Sequence, residues 1–432
     1  MNTAFKSDEW TRRRFVEGTA KTFLGVGALG LGGAKANAAL GPNLGLPGRA
    51  GAAKHVIYLY MGGGMTHLDT FDTKPGHENQ GQTKTIDTNV DDVKISEHFP
   101  MLAQQADKLA IINSMTSTAG AHQQGNYLMH TSYEERATIR HPGIGAWAMK
   151  FKGRMNPNLP GSVFIGGNSR INGGGGFFEP EFEPLTINDP NAGLKNSKLR
   201  GVTQETFDHR LDLAKQFDSE FHEKYNVKQV RAYTQMYDDA VRIMTSKDLK
   251  VFDLKDEDEM TRERFGDNPF GQGCLLARRL IENDVRAVEV SYGGWDMHNN
   301  VFISAPERCA ILDQAMGALL EDLERRGKLQ DTVVVLTTEF GRTPRINQNA
   351  GRDHYPKAFS SVIAGGGIKG GVKYGKTDEG GANVIENAVK IPDFNATVGY
   401  AMGLPLDQVL YSPSKRPFTV AHKGKPVLDL FA

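Results

Sequence analysis

Short apolar runs alternate with longer segments of helical period through most of this chain. That alternation restricts the fold more than any other feature. Val56-Ile57-Tyr58-Leu59-Tyr60 reads as a buried strand, stopped by Gly62-Gly63-Gly64. Leu109-Ala110-Ile111-Ile112 is a second strand, reached through a helix-like segment at 99–108, and 123–132 looks helical. A helix over 271–283 leads into a strand at 287–292. A helix over 306–327, with Ile311, Ala315, Leu319 and Leu323 near helical spacing, leads into a strand at 332–337. A further strand at 360–364 ends in Gly365-Gly366-Gly367. Strand, helix, strand, helix predicts an α/β fold: a doubly wound, mainly parallel sheet with helices on both faces. Residues 153–200, rich in Gly, Pro and Asn, predict an irregular excursion over one edge of the sheet. Residues 203–248 predict a surface subregion of two charged helices.

The N-terminus carries a different message. Thr11-Arg12-Arg13-Arg14-Phe15-Val16 resembles the twin-arginine export motif. A Gly- and Ala-rich apolar stretch at 20–33 and the small-x-small site Ala36-Asn37-Ala38 follow in the order of a cleaved signal peptide. The stretch is too short and glycine-rich to remain as a membrane span. We therefore expect a signal peptide over 1–38, a linker over 39–53, one domain over 54–432, and a periplasmic or extracellular product handled by the twin-arginine export machinery. No later segment is apolar enough to span a bilayer. The 51 basic and 51 acidic residues balance, so composition points to no nucleic acid. Cys274 and Cys309 lack zinc-site spacing and read as two buried thiols, with a disulfide the alternative.

In open α/β sheets, ligands bind beyond the carboxyl ends of the strands. Carboxylates and imidazoles gather there. His67, Asp69 and Asp72 follow the first strand; Ser114, Thr116, Ser117, Thr118 and His122 follow the second. Asp296 and His298 follow strand 287–292, and Glu339 and Arg342 follow strand 332–337. Arg352, Asp353 and His354 come a little later. Carboxylate and imidazole donors converging on one crevice suit a divalent ion. His130 and His141 read as structural. Gly370-Gly371-Val372-Lys373-Tyr374-Gly375-Lys376-Thr377 matches the phosphate-loop pattern, but Asp378-Glu379-Gly380-Gly381 starts no helix, so a hairpin is expected instead.

These motifs, at 62–75, 122–132, His141-Pro142-Gly143-Ile144-Gly145, 273–282, 294–298, 337–344 and 351–367, resemble an uncharacterised family of exported bacterial proteins. That family is itself similar to the alkaline phosphatase and sulfatase superfamily. The resemblance spans nearly the whole mature chain. It implies an alkaline-phosphatase-like fold with a divalent metal (Zn, Mn, Ca or Mg) at the strand ends, and a small anionic ester or glycan as substrate. It places Asp296, His298, Glu339 and His354 at metal positions, with Asp69 substituting for an Asp where this chain has Met61-Gly62. Phe340 stands where the superfamily has a metal-binding His, which implies one metal or a rearranged site. Aligning Thr131-Ser132 with the superfamily's Thr-Gly puts His122 at the nucleophile position. There it would serve as nucleophile through nitrogen, general acid or metal ligand. Arg342 and Arg352 would clamp a phosphate or sulfate. Two functions follow: a metal-dependent hydrolase of phosphate or sulfate esters, or a non-catalytic descendant using the pocket to bind a glycan, a metal or a partner protein.

Overall fold

The computed structural model of the protein describes residues 51, 53–167, 174–195, 197, 201–224 and 228–431. The export segment and nearly all of the linker lie outside the described residues. In chain order, the elements that matter here are β1 (His55–Gly62), β2 (Leu109–Thr116), α1 (His122–Thr131), α2 (Ile144–Lys152), β3 (Ser162–Ile165), β4 (Leu185–Ile187), α3 (Gln204–Lys224), α4 (Lys228–Thr245), α5 (Pro269–Glu282), β5 (Ala287–Gly293), α6 (Val301–Arg325), β6 (Thr332–Thr337), β7 (Phe359–Gly365), β8 (Val372–Tyr374) and α7 (Ile391–Ala401).

Among the described residues the central sheet has nine strands, in the order β8-β2-β7-β6-β1-β5-β3-β4, with the short strand Val389–Lys390 also pairing β2. Side chains alternate along β1. Ile57, Leu59 and Met61 enter a core with α5 and α6, while Val56, Tyr58 and Tyr60 enter a second core with α1, α2 and α7. A strand buried on both faces explains why its sequence is apolar without interruption. Among the described residues no helix is long and apolar enough to cross a membrane. Cys274 and Cys309 are buried and unpaired.

Four details differ from the sequence expectations. Strand β7 runs antiparallel to both β6 and β2. Parallel neighbours need a crossover, usually helical; the chain between β6 and β7 has no helix and re-enters the sheet from the end at which it left. The segment at 153–200 contributes two parallel strands, β3 next to β5 and β4 at the edge, besides its irregular chain. The helix expected over 99–108 is broken into Pro100–Ala103 and a 3-10 turn at Ala106–Lys108. The expected hairpin after Gly365–Gly367 does not pair with β7: β8 instead lies parallel to β2, and Lys376–Thr377 pairs with Val384–Glu386. No helix follows the phosphate-loop pattern.

Candidate metal centre

Strands β6, β1 and β5 lie side by side and end at Thr337, Gly62 and Gly293, so the loops after them share one edge of the sheet. The chain leaves β1 through Gly63, at φ 120°, pressed against the β5 loop. A Cβ on Gly63 would stand 2.5 Å from the Asp296 amide nitrogen and 2.8 Å from the Trp295 carbonyl carbon. Glycine there lets the β1 loop pass directly behind Asp296. His122 opens α1, and His354 is brought across by pairing with Arg342.

Three imidazoles converge on one carboxylate oxygen. His122 Nε2 and His354 Nε2 each lie 3.3 Å from Asp296 Oδ1, and His298 Nε2 lies 3.0 Å from it. His298 Nε2 and His354 Nε2 are 3.1 Å apart. The opposite ring nitrogen of each imidazole is held from behind. His122 Nδ1 is 2.7 Å from Glu339 Oε1, His298 Nδ1 is 2.7 Å from Asp353 Oδ1, and His354 Nδ1 is 2.9 Å from the Gly120 carbonyl. A carboxylate or carbonyl accepts only from N–H, so each partner fixes the tautomer with Nδ1 protonated and the Nε2 lone pair pointing inward. Metal-ligating histidines are oriented in this manner.

Without a cation this arrangement is poorly matched. Two Nε2 atoms 3.1 Å apart share at most one proton. His122 Nε2 is sealed from solvent and finds no hydrogen-bond partner among the described residues; its approach to Asp296 lacks the geometry of a hydrogen bond. For ligands about 2.0–2.1 Å from a tetrahedral ion, neighbouring donors stand about 3.3 Å apart. The spacings to Asp296 Oδ1 and between His298 and His354 fall at that value or just below it. His122, Asp296 and His354 offer donor atoms that all lie within 4.8 Å of one another and so fit a metal, with His298 a neighbour of Asp296 and His354 at the edge of the cluster.

Behind His122 the supporting group is buried and fully engaged, while Asp353 and Gly120 behind the other two rings are exposed. Glu339 is completely buried and accepts from the Gly63 amide at 2.8 Å and from Tyr60 Oη at 2.8 Å, besides His122. Burial pushes its carboxyl up, but the hydrogen bonds from His122, Tyr60 and Gly63 more than offset this and hold it below the usual range. The Glu339 hydrogen bond raises His122, against the lowering effect of burial. Burial likewise pushes Asp296 up, but Arg342 and the imidazoles hold it down to about 2.

The structure redistributes the residues expected from sequence. His122, Asp296, His298 and His354 come together. Glu339 stands one layer behind, as the partner of His122 rather than beside the other donors. Asp69 does not join them. It is fully buried and taken up by Thr66 Oγ1 at 2.8 Å, Thr83 Oγ1 at 2.7 Å and Arg352 Nε at 2.7 Å. Arg352 is thus a core cation paired with Asp69. Arg342 is also buried: Nε donates to the Gly64 carbonyl, Nη1 to the Arg352 carbonyl, and Nη2 to the Gly63 carbonyl and Asp296 Oδ1. It pins Asp296 and does not face outward. His67 is buried against the Gly381 carbonyl, and Ser117 closes a local turn on Ala119. Phe340, where the resemblance implies a histidine in relatives, packs its ring 5.1 Å from His122 and 4.8 Å from His354. Sequence reasoning missed Tyr60 and the Gly120 carbonyl. Tyr60 carried a faint signal, a polar tip on the last residue of an apolar strand. A backbone carbonyl carries none.

The chain belongs to a family described as proteins of unknown function, DUF1501, whose model matches residues 53–431. None of the curated proteins matches it. Among solved structures it is similar to the lipoteichoic acid synthase LtaP from Listeria monocytogenes, at 10% identity and TM-score 0.43, covering 88% of this chain and 77% of that one. It is similar to a phosphonate monoester hydrolase from Silicibacter pomeroyi at 9% identity and TM-score 0.38, covering 87% and 76%. It is also similar to the alkaline phosphatase of the Antarctic bacterium TAB5, at 11% identity and TM-score 0.31, covering 73% and 92%.

Proposed function

Starting from that family membership, which assigns no activity, we propose that this protein is a metal-dependent hydrolase of phosphate or sulfate esters. The observation that carries the reading is the convergence of three imidazole Nε2 atoms on Asp296 Oδ1, each ring held by its Nδ1. Three nitrogens and one carboxylate suit Zn²⁺ or Mn²⁺ better than Ca²⁺ or Mg²⁺, which favour all-oxygen shells. When bound, such an ion polarises an ester oxygen and lowers the pKa of a water. The chain's own residues prepare the site for it. Glu339 and Asp353 lock the His122 and His298 tautomers, and Arg342 holds Asp296 ionised and in place. Side-chain exposures of 33% for His122, 46% for Asp296, 39% for His298 and 27% for His354 leave the cluster open to an incoming ester. The ester class rests on the resemblance of the motifs at the strand ends to the alkaline phosphatase and sulfatase superfamily.

One observation favours a second reading, a metal-binding protein without turnover. Both guanidiniums expected to clamp the anion, Arg342 and Arg352, are turned into the protein. The same experiment separates the readings. The mature protein and its Asp296→Ala and His354→Ala variants are assayed for bound metal and for cleavage of aryl phosphates and aryl sulfates. The hydrolase reading expects about one ion per chain, lost in both variants, with turnover lost alongside it. Metal without turnover supports the second reading, and a wild type that stays metal-free when divalent ions are supplied sinks both. We also propose export by the twin-arginine route, supported by Arg12-Arg13 and Ala36-Asn37-Ala38. Replacing Arg12 and Arg13 with Lys should leave uncleaved precursor in the cytoplasm; normal processing would refute it.

A further inference from the structure

A separate cavity lies on the α2 face of the sheet, beside the amino-terminal halves of β1, β5 and β3. Register places Tyr58 next to Glu289, and Glu289 next to Phe164. These residues line the cavity with His130, Ser162 and the first turn of α2. Its volume is about 50 Å³, room for about four water-sized atoms.

Two independent features aim polar groups into it. Tyr58 is 4% exposed, and its hydroxyl, sealed from bulk solvent, meets no hydrogen-bond partner among the described residues. Leaving a buried hydroxyl unpaired costs about 1–3 kcal/mol. The second feature is the start of α2. The helix begins after Gly143 with no side-chain cap, so its first N–H groups lack intrahelical partners and carry the positive end of the helix dipole. Gly145 allows this approach: a Cβ there would stand 3.2 Å from both Ser162 Oγ and Ala287 Cβ. Among the described residues the carboxylate on the wall is Glu289, and His130 Nε2 lies 3.0 Å from its Oε1. Burial lowers His130, but the Glu289 carboxylate beside it holds it above its ordinary value. What remains is a donor hydroxyl, a helix N-terminus, and apolar walls from Val56, Val288 and Phe164. That combination selects an anion with a short apolar tail, and the volume excludes a sugar.

We propose that this cavity binds a small carboxylate of about two or three carbons, its oxygens taking the Tyr58 hydroxyl and the first N–H groups of α2. Propionate is the probe, followed by ligand-observed NMR and thermal shift on the mature protein, with propanol as the uncharged control. Asp296→Ala is run in parallel, because a carboxylate would also bind a metal. The expected result is saturable propionate binding in both proteins, stronger than propanol. Tyr58→Phe, which keeps the ring, should weaken it about tenfold, and Gly145→Val should abolish it. Absence of saturable binding would overturn the proposal. So would binding lost in Asp296→Ala, or affinity unchanged in Tyr58→Phe. The outcome is independent of whether any ester is hydrolysed.

Discussion

Glu339 is the residue whose replacement most sharply separates geometry from charge. Its Oε1 accepts from His122 Nδ1 at 2.7 Å and the Gly63 amide at 2.8 Å. Its Oε2 accepts from Tyr60 Oη at 2.8 Å and Thr338 Oγ1 at 3.0 Å. In Glu339→Gln the side-chain carbonyl takes the Oε1 position, and His122 and Gly63 keep their acceptor. The amide nitrogen meets two hydroxyls that both have lone pairs to offer, and Tyr60 turns its proton to Asn126 Oδ1, already its neighbour. The fold should lose only about 1 kcal/mol. The negative charge that makes His122 a stronger donor is gone, and metal affinity should fall about 10- to 100-fold, the usual effect of removing a ligand's orienting partner. Glu339→Ala removes the acceptor as well. Tyr60 again turns to Asn126 Oδ1, but the half-buried Gly63 N–H and His122 Nδ1–H are then left unpaired, for a loss of about 2–4 kcal/mol. Urea unfolding of the metal-free proteins reads the stability difference, and competition with a chromogenic chelator at neutral pH reads affinity. Glutamine binding metal as tightly as the wild type would refute the orienting role. A glutamine variant as unstable as alanine would refute the hydrogen-bond assignment.

Gly63→Ala should destabilise by about 2–4 kcal/mol, from a positive φ and a Cβ driven into the Asp296 backbone. It should also release metal, and tight metal binding by that variant would show that Asp296 does not depend on the β1 loop. Arg352→Met strands the buried Asp69 carboxylate and should cost about 3–5 kcal/mol in denaturant unfolding, while the folded fraction keeps its full metal content; loss of metal at unchanged stability would return Asp69 to the ligand set. Asp313, buried behind the Met101 and Leu102 amides, is pushed up to about 6. A carboxyl raised in the folded state holds its proton more tightly there than in the unfolded chain, so stability is greatest below the unfolded pKa and is lost as pH rises through about 6. The loss is up to about 3 kcal/mol between about pH 4 and pH 7. Asp313→Asn should flatten that slope in urea titrations; an unchanged slope would assign it to other groups.

Much of this organisation was legible because its physics is local. Apolar runs, ended by glycine in β1 and β5, marked β1, β5 and β6 to within a residue or two, and the carboxyl ends of the strands marked where His122, Asp296, His298 and His354 would meet. What stayed hidden depends on partners distant in sequence. Nothing in Gly62-Gly63-Gly64-Met65-Thr66-His67-Leu68-Asp69 announces that Arg352 will bury itself against Asp69. Nothing in Glu339-Phe340-Gly341-Arg342 tells that the glutamate will stand behind His122 or that the guanidinium will fold back onto the Gly63 and Gly64 carbonyls. Asp353 reads naturally as the partner of its neighbour His354, but it holds His298, because successive residues on the short strand His354–Tyr355 and its approach point in different directions. The direction of β7 was hidden for a similar reason, since an irregular connection carries no sign of which way it returns.

The central claim is that imidazole nitrogens of this chain bind a metal at Asp296. X-ray absorption at the metal edge of the zinc- or manganese-loaded mature protein tests it directly. The account predicts nearest neighbours of nitrogen and oxygen only, at about 2.0–2.2 Å, with the outer-shell scattering of at least two imidazoles, reduced in His354→Ala. A first shell of oxygen alone without imidazole scattering, or one unchanged in His354→Ala, would contradict it.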